Sequence, residues 1–346
     1  VDTATVAPAR NRWLPLQFAA LALVWGASFL FIKIGLQGLS PLQVAAARLD
    51  FGALTLVSLI LLLRVPLPRQ ATVWGHVAVV SLTLCVIPFV LYPWAEQTID
   101  SGLASIYNAA TPLMTTMVTL IALRAERPGR MQLLGLALGF VGVCVVLAPW
   151  QLLGHGGPVL AQFACLGATL SYGIGFVYMR KYVTPLGLPA LTVAGVQVGV
   201  GAVLMTVVVV LVDRHRVEAT PAVVLSMAAL GVLGTGLAYV WNTRIINGWG
   251  ATAASSVTYL TPVIGVLLGA LLLGERIGWH EPLGGAIVIA GIVLSRRGCV
   301  AGYGLGAGTD AGTLGFLGGD SGGGYCDSGG FSDGGGGCDG GDGGGI

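Results

Sequence analysis

From Leu14 to about residue 295 the chain is a succession of apolar runs, each close to the ~20 residues that cross a bilayer as a helix. Short polar or Pro/Gly-bearing stretches interrupt them: "QGLSP" at 37–41, "RVPLPRQ" at 64–70, "RAERPGR" at 124–130, "GHGGP" at 154–158 and "TPLGLP" at 184–189. The pattern predicts ten helical spans, at roughly 14–36, 41–64, 73–95, 101–123, 131–149, 158–181, 189–212, 222–245, 251–273 and 280–295. Connections this short make neighbouring helices antiparallel, as at the "NGWG" turn, 247–250.

Composition agrees. The 346 residues are 55% hydrophobic and 9% charged, with mean hydropathy +0.85, whereas soluble domains carry roughly 25% charged residues. Net charge is +2, which gives no reason to expect nucleic acid. The first apolar run is too long for a signal peptide, and no A-x-A site follows it. Cys85, Cys144 and Cys165 fall in spans, and Cys299, Cys326 and Cys338 in the tail. None forms a C-x-x-C pair, so neither a disulfide framework nor a zinc site is expected, and no cofactor or metal.

Basic residues set the expected orientation. Arg10, Arg12, Arg64, Arg69, Arg124, Arg127, Arg130, Arg180, Lys181, Arg244, Arg296 and Arg297 fall on one side. The smaller set Lys33, Arg214, Arg216 and Arg276 falls on the other, which puts both termini in the cytoplasm. Beyond about Gly298 the chain is mostly Gly with Asp and Ser, a composition expected to remain disordered.

The runs repeat. Ala104-Ser105 recurs as Ala254-Ser255 and Thr111-Pro112 as Thr261-Pro262, at one constant offset. After a one-residue gap, Glu126, Arg127 and Gly129 recur as Glu275, Arg276 and Gly278, and Gly135 and Gly142 as Gly284 and Gly291. More weakly, Trp25-Gly26 and Phe29 match Tyr172-Gly173 and Phe176, while Arg48 and Gly52 fall opposite Gln197 and Gly201. Five spans is an odd number, so the second unit enters the membrane from the opposite side. The expected fold is all-α and integral to the membrane, ten transmembrane helices as two inverted five-helix repeats. Its divisions are 1–13, 14–149, 150–296 and a Gly/Asp-rich tail, 297–346. Inverted repeats place a site at the bilayer midplane and expose it alternately by rocking. That is the mechanical case for a transporter.

The ten spans, the paired "TP…GER" segments and "RLDFGAL" at 48–54 resemble the EamA branch of the drug/metabolite transporter superfamily, over residues 14 to 295. The first unit reads "RAER" where the second keeps "LGER", so the glutamate remains. The resemblance implies an inner-membrane exporter of small metabolites, neutral and aromatic amino acids among them, with a central cavity between two halves.

Several residues are candidates for that cavity. A helix-interior proline frees the carbonyl four residues earlier and kinks the axis. Pro112 would free Asn108 and Pro262 would free Thr258, both near mid-span. The kinks either build a site or serve packing alone, with neighbours bonding the freed carbonyls. Trp25 and Tyr172 occupy equivalent mid-span positions, where a polar ring atom needs a partner or water. Tyr107 and Tyr259 adjoin the kinked positions. Tyr92, Trp94, Trp241 and Asn242 lie nearer span ends and read as interface anchors.

Arg48 and Asp50 lie about 10 and about 14 Å into the second helix. Arg48 would hold a substrate carboxylate or clasp a helix carbonyl; Gln197 at its equivalent position favours the structural role. Asp50 is the candidate for proton coupling. Glu96 and Lys33 are expected to snorkel, and Glu126 and Glu275 to cap the following helix or pair with Arg130 or Arg276. Gly135/Gly139, Gly195/Gly199 and Gly265/Gly269 have the spacing of close helix packing, within a monomer or in a dimer. His76, His155, His215 and His280 read as surface residues, and no H-E-x-x-H, G-x-S-x-G or P-loop occurs.

Three functions compete. A metabolite exporter, most simply a monomer in the lipid bilayer with a small-molecule substrate, fits best. A carrier of phosphorylated sugars or nucleotide-sugars would need several buried cations, and Arg48 alone is deep. A membrane enzyme or scaffold would need a catalytic cluster or a soluble domain, and the sequence holds neither.

Overall fold

The computed structural model describes residues 13–122, 130–147, 159–249, 257–276 and 278–303. All regular structure among them is helical: α1 (Leu14–Gly35), α2 (Pro41–Leu63), α3 (Ala71–Ser81), α4 (Ile87–Glu96), α5 (Ser101–Asn108), α6 (Thr111–Ala122), α7 (Arg130–Leu147), α8 (Val159–Tyr178), α9 (Ala190–Val212), α10 (Pro221–Ala228), α11 (Ala238–Trp249), α12 (Val257–Leu273) and α13 (His280–Tyr303). Two π-helical segments, Leu82–Val86 and Ala229–Leu237, join α3 to α4 and α10 to α11. Leu14–Gly35, Pro41–Leu63, Ala71–Glu96, Val159–Leu186, Ala190–Val212 and Pro221–Asn242 are each long and apolar enough to cross a membrane. Leu133–Val146 and Leu260–Leu273 are shorter apolar helices. Helices satisfy their backbone internally, as the hydrocarbon requires, and the chain is an integral membrane protein.

Local chemistry sets the helix starts. Ser40 and Gln43 form a reciprocal capping box at α2, with Pro41 at the first turn. Thr220 caps α10 through the Val223 N–H, ahead of Pro221. Gly274, with φ +67, turns the chain out of α12.

Packing follows the glycines. α1 lies along α12, and α8 along α6. A β-carbon on Gly26 would stand 2.5 Å from Ile264, and one on Gly173 would stand 2.9 Å from the backbone of Met114 and Thr115. α2 packs on the π segment of residues 229–237 and α9 on α3, with Gly52 against Thr235 and Gly201 against Ser81. α7 and α13 pack closely together. A β-carbon on Gly142 would stand 2.8 Å from the Gly284 carbonyl oxygen, and one on Gly291 would stand 2.6 Å from the Gly135 carbonyl oxygen and 2.5 Å from the Gly139 nitrogen. Small residues let membrane helices approach this closely.

Gly291→Ala is therefore expected to destabilise the protein by about 1–3 kcal/mol, since backbone must move to admit the methyl. Gly199→Ala, with nothing within 4 Å, is expected to be neutral or slightly stabilising. Melting temperatures in detergent check the pair; equal loss in both would refute the close approach of α7 and α13.

Two expectations need correction. The span expected at 101–123 is broken: α5 ends at Asn108, and the Ala109 and Ala110 N–H groups turn back to Ile106 and Tyr107 at 3.1 and 2.9 Å. Pro112 has no N–H to bond the Asn108 carbonyl four residues earlier, and the Thr111 hydroxyl takes that carbonyl instead. Pro262, in contrast, lies within a continuous α12. The last helix also runs on to Tyr303, past its expected end. The tail from residue 304, the loop at 123–129 with Glu126, and His155 lie outside the described residues.

Candidate functional site

A cavity of about 150 Å³ lies where α1, α2, α4, α8, α11 and the π segments at 82–86 and 229–237 meet the α5–α6 break and α12. The wall is largely aromatic: Trp25, Phe29, Phe89, Tyr92, Tyr172, Phe176 and Tyr239. Ser28, Arg48, Asn108, Thr111, Thr235 and Thr261 supply its polar groups, and no carboxylate of a described residue lines it.

The irregular backbone around the cavity is satisfied from across the bundle. A π turn breaks the regular pairing of carbonyls and often marks a functional site. Pro88, which has no N–H, follows the first π segment; Gly231, Gly234 and Gly236 lie in the second. Ser171 donates to the Thr83 carbonyl at 2.8 Å, and the Trp25 indole N–H to the Gly234 carbonyl at 3.3 Å. The carbonyl of Asn108, ahead of Pro112, accepts from the Thr111 hydroxyl at 2.7 Å. That local bond meets the packing alternative for the kink. Near Pro262, Thr261 reaches back to Val257 at 3.4 Å.

Rings hold one another in place. Phe29 and Tyr92 meet edge-on at 5.3 Å; Tyr172 lies 6.4 Å from both Tyr92 and Phe176. The Tyr92 hydroxyl donates to Asn108 Oδ1 at 3.2 Å. Arg48 lays its guanidinium 3.8 Å from the Phe89 ring centroid and donates from Nε to Thr235 Oγ1 at 3.2 Å.

The structure thus brings Trp25, Asn108, Tyr172, Arg48 and Pro112 together. Tyr107 is buried off the cavity wall, and its hydroxyl finds no partner among the described residues. Thr258 and Tyr259 belong to α12, but their side chains lie outside the described ones; Thr261 lines the wall instead. Asp50 does not reach the cavity: it is exposed and accepts from Thr206 Oγ1 at 3.0 Å. Tyr92, read as an interface anchor, is a buried wall residue. His76, read as a surface residue, meets the Tyr178 hydroxyl at 2.9 Å and stacks on Tyr182.

One end of the bundle is tied by two ionisable side chains, Lys33 and Glu275. Lys33 donates to the carbonyls of Glu96 and Ile99 at 2.6 and 2.7 Å, capping the end of α4 rather than snorkelling. Glu96 is fully buried, and neither carboxyl oxygen has a hydrogen-bond partner among the described residues. Glu275 caps neither the following helix nor Arg276. Its carboxylate accepts from the Ser101 N–H (2.8 Å), the Ser101 hydroxyl (2.9 Å) and the Gly102 N–H (3.1 Å), at the start of α5. The following helix, α13, is held by Glu281, which accepts from Gly278 N–H at 3.1 Å.

Asp100 sits in the turn before α5. Burial, and then the Glu275 charge, push its carboxyl above the usual range, with Lys33 opposing. A carboxyl raised in the fold holds its proton more tightly folded than unfolded. Its contribution to stability is full below the ordinary carboxylate pKa and falls as pH rises through the raised value. Asp100→Asn is expected to flatten that part of the stability–pH profile by less than about 1 kcal/mol, since the group is half-exposed and screened. Melting at pH 4 and pH 7 measures it.

An apolar helical bundle around a lined central cavity defines a membrane transport protein rather than a soluble one. The pattern described as the EamA-like transporter family matches residues 13–148 and again 159–297. The chain belongs to that family. It is 27% identical over 293 residues to the inner membrane transporter YedA of Escherichia coli K12, covering 83% of this chain and 92% of that protein. It is 24% identical over 286 residues to the Bacillus subtilis transporter YoaV (81% and 95% covered). It is 25% identical over 284 residues to a probable amino-acid metabolite efflux pump of E. coli K12 (80% and 92% covered). One solved crystal structure shares its fold, with TM-score 0.59 at 19% identity, covering 85% of this chain and 99% of that one.

Proposed function

We propose that the chain exports small metabolites, neutral and aromatic amino acids foremost, by alternating access at this cavity. The observation that carries the reading is the cavity itself, walled by residues from both units, 14–149 and 150–296. Ten spans as two inverted repeats are supported by the glycine contacts. Gly26 meets Ile264 while its repeat mate Gly173 meets Met114, the mate of Ile264. Gly52 lies on the Gly231 segment and Gly201 on Ser81; Gly142 faces Gly284 and Gly291 faces Gly135. Each contact recurs with the units exchanged, as a two-fold axis in the membrane plane would require. The family match to each unit points the same way.

The basic residues favour both termini in the cytoplasm and the Glu275 end outside. A named relative that is a probable amino-acid metabolite efflux pump favours that substrate class. A carrier of sugar phosphates is disfavoured because Arg48 is the one cation among the described wall residues. A scaffold is disfavoured because the cavity is open rather than filled.

Counterflow in proteoliposomes tests the proposal. Vesicles preloaded with one unlabelled candidate at a time, from amino acids to sugar phosphates, are expected to accumulate labelled phenylalanine or leucine against the matching amino acid. Exchange of an organic phosphate alone would overturn the amino-acid reading.

A further inference from the structure

We propose that Arg48 is the carboxylate receptor of the cavity, so that the cargo must present one free carboxylate on an apolar body and needs no ammonium group. The proposal rests on the reading of the chain as a carrier and names what its site selects.

Arg48 is oriented as a receptor. Its ring contact with Phe89 and its Nε bond to Thr235 hold the guanidinium from one face and one edge. That Nε bond is its only hydrogen bond to a described residue. It clasps no helix carbonyl among them; Thr235 and Phe89 hold the guanidinium by its edge and face instead. The two Nη groups have no hydrogen-bond partner there and are not sealed from the cavity they line. A guanidinium fork with its outer donors free matches the two oxygens of a carboxylate. Among the described residues no carboxylate touches the guanidinium, and the buried Glu96 acts on it only from a distance; an intramembrane cation with no contacting anion is expensive and favours one in the same space.

The repeat mate does not duplicate this. Gln197 is buried, and its amide nitrogen is spent on Cys85 Sγ (3.1 Å) and the Tyr239 hydroxyl (3.4 Å). Among the described residues the cavity therefore offers one cationic receptor, not two. Across it lie Trp25, Tyr92, Tyr172 and Phe176, which suit an aromatic or branched body. No described wall carboxylate faces a substrate ammonium. One positive charge fits a monocarboxylate; a phosphate ester or dicarboxylate would bring more negative charge than the wall balances.

Two matched panels test it on the full chain in proteoliposomes. The first is 3-phenylpropionate, phenylalanine, phenylalaninamide and phenethylamine, competing against labelled phenylalanine counterflow. The second is 4-methylpentanoate, leucine, leucinamide and isoamylamine against labelled leucine. The acids and amino acids are expected to compete at similar concentrations, and the amides and amines at least about tenfold more weakly. Arg48→Gln is expected to abolish the difference between acid and amide, and Arg48→Lys to keep part of it. Amides or amines that compete as well as acids on the wild type would overturn the role of Arg48 while leaving the carrier standing. So would discrimination that survives in folded Arg48→Gln protein. Labelled phenylalanine and leucine both failing to exchange would sink the amino-acid carrier reading, and the inference with it.

Discussion

Glu275→Ala is expected to open the tied end of the bundle. The carboxylate gathers three hydrogen bonds at the start of α5, two from backbone N–H groups and one from the Ser101 hydroxyl. It stands beyond the end of α12, whose Gly269 would clash with it if a side chain were added. The contact therefore joins the second unit to the first. It is charge-assisted and favoured by the helix dipole. Without it, buried Ser101 loses its partner. Hydrogen bonds to charged groups are worth ~1.5–3 kcal/mol each but do not add, so a net loss of about 3 kcal/mol is reasonable. That shifts a two-state equilibrium on the order of 100-fold. A cysteine placed at Ser28 on the cavity wall should then react with an impermeant maleimide from the Glu275 side about that much faster. Glu275→Gln, which keeps one acceptor oxygen and loses the charge, should fall between. Unchanged reactivity in both variants would mean the contact is a helix cap and nothing more.

Trp25→Ala and Tyr172→Ala are each expected to lower transport efficiency by roughly 10- to 100-fold. Each ring contributes about 1.5–3 kcal/mol of apolar contact when buried against a substrate. Trp25 does two jobs. It walls the cavity, and its N–H holds the Gly234 carbonyl of the π segment at 3.3 Å. Trp25→Phe separates them, keeping a ring and deleting the donor. Tyr172 keeps its place between Tyr92 and Phe176 through ring contacts, so Tyr172→Phe should transport nearly as wild type. Counterflow at low substrate gives the rates, and detergent melting shows whether each variant is folded. Two alanine variants that transport like wild type would remove the cavity from the mechanism.

Much of the architecture is legible in the sequence because it is written in features that survive without a partner. Runs of apolar residues and their punctuation give the helices. Of the glycines whose spacing reads as close packing, Gly139, Gly195, Gly265 and Gly269 leave no room for a methyl, whereas Gly199 faces open space. Facing is less legible. These helices are apolar nearly all round, so periodicity does not say which side meets lipid. Asp50 and Arg48, two residues apart, end on different sides, one exposed beside Thr206 and one in the cavity. Tyr92 reads as a membrane-interface residue by position alone; only the approach of α8 and of Asn108 turns it into a wall. Partners far apart in sequence are hidden for the same reason. Nothing near Glu275 in the chain announces Ser101, and nothing near Lys33 announces the carbonyls that end α4. The α5–α6 break and the continuous α12 carry the same Thr-Pro pair. They differ in which carbonyl the threonine reaches, Asn108 or Val257.

The measurement that bears most directly on the whole account is two-sided labelling of Ser28→Cys in an otherwise cysteine-free chain, in sealed vesicles of known orientation. Alternating access at this cavity predicts reaction with impermeant maleimide from either side. Glu275→Ala should raise the rate on the Glu275 side and lower it on the other, and bound substrate should slow both. A cysteine that reacts from one side only, whatever the variant or substrate, would contradict a carrier and leave a cavity that opens to one compartment.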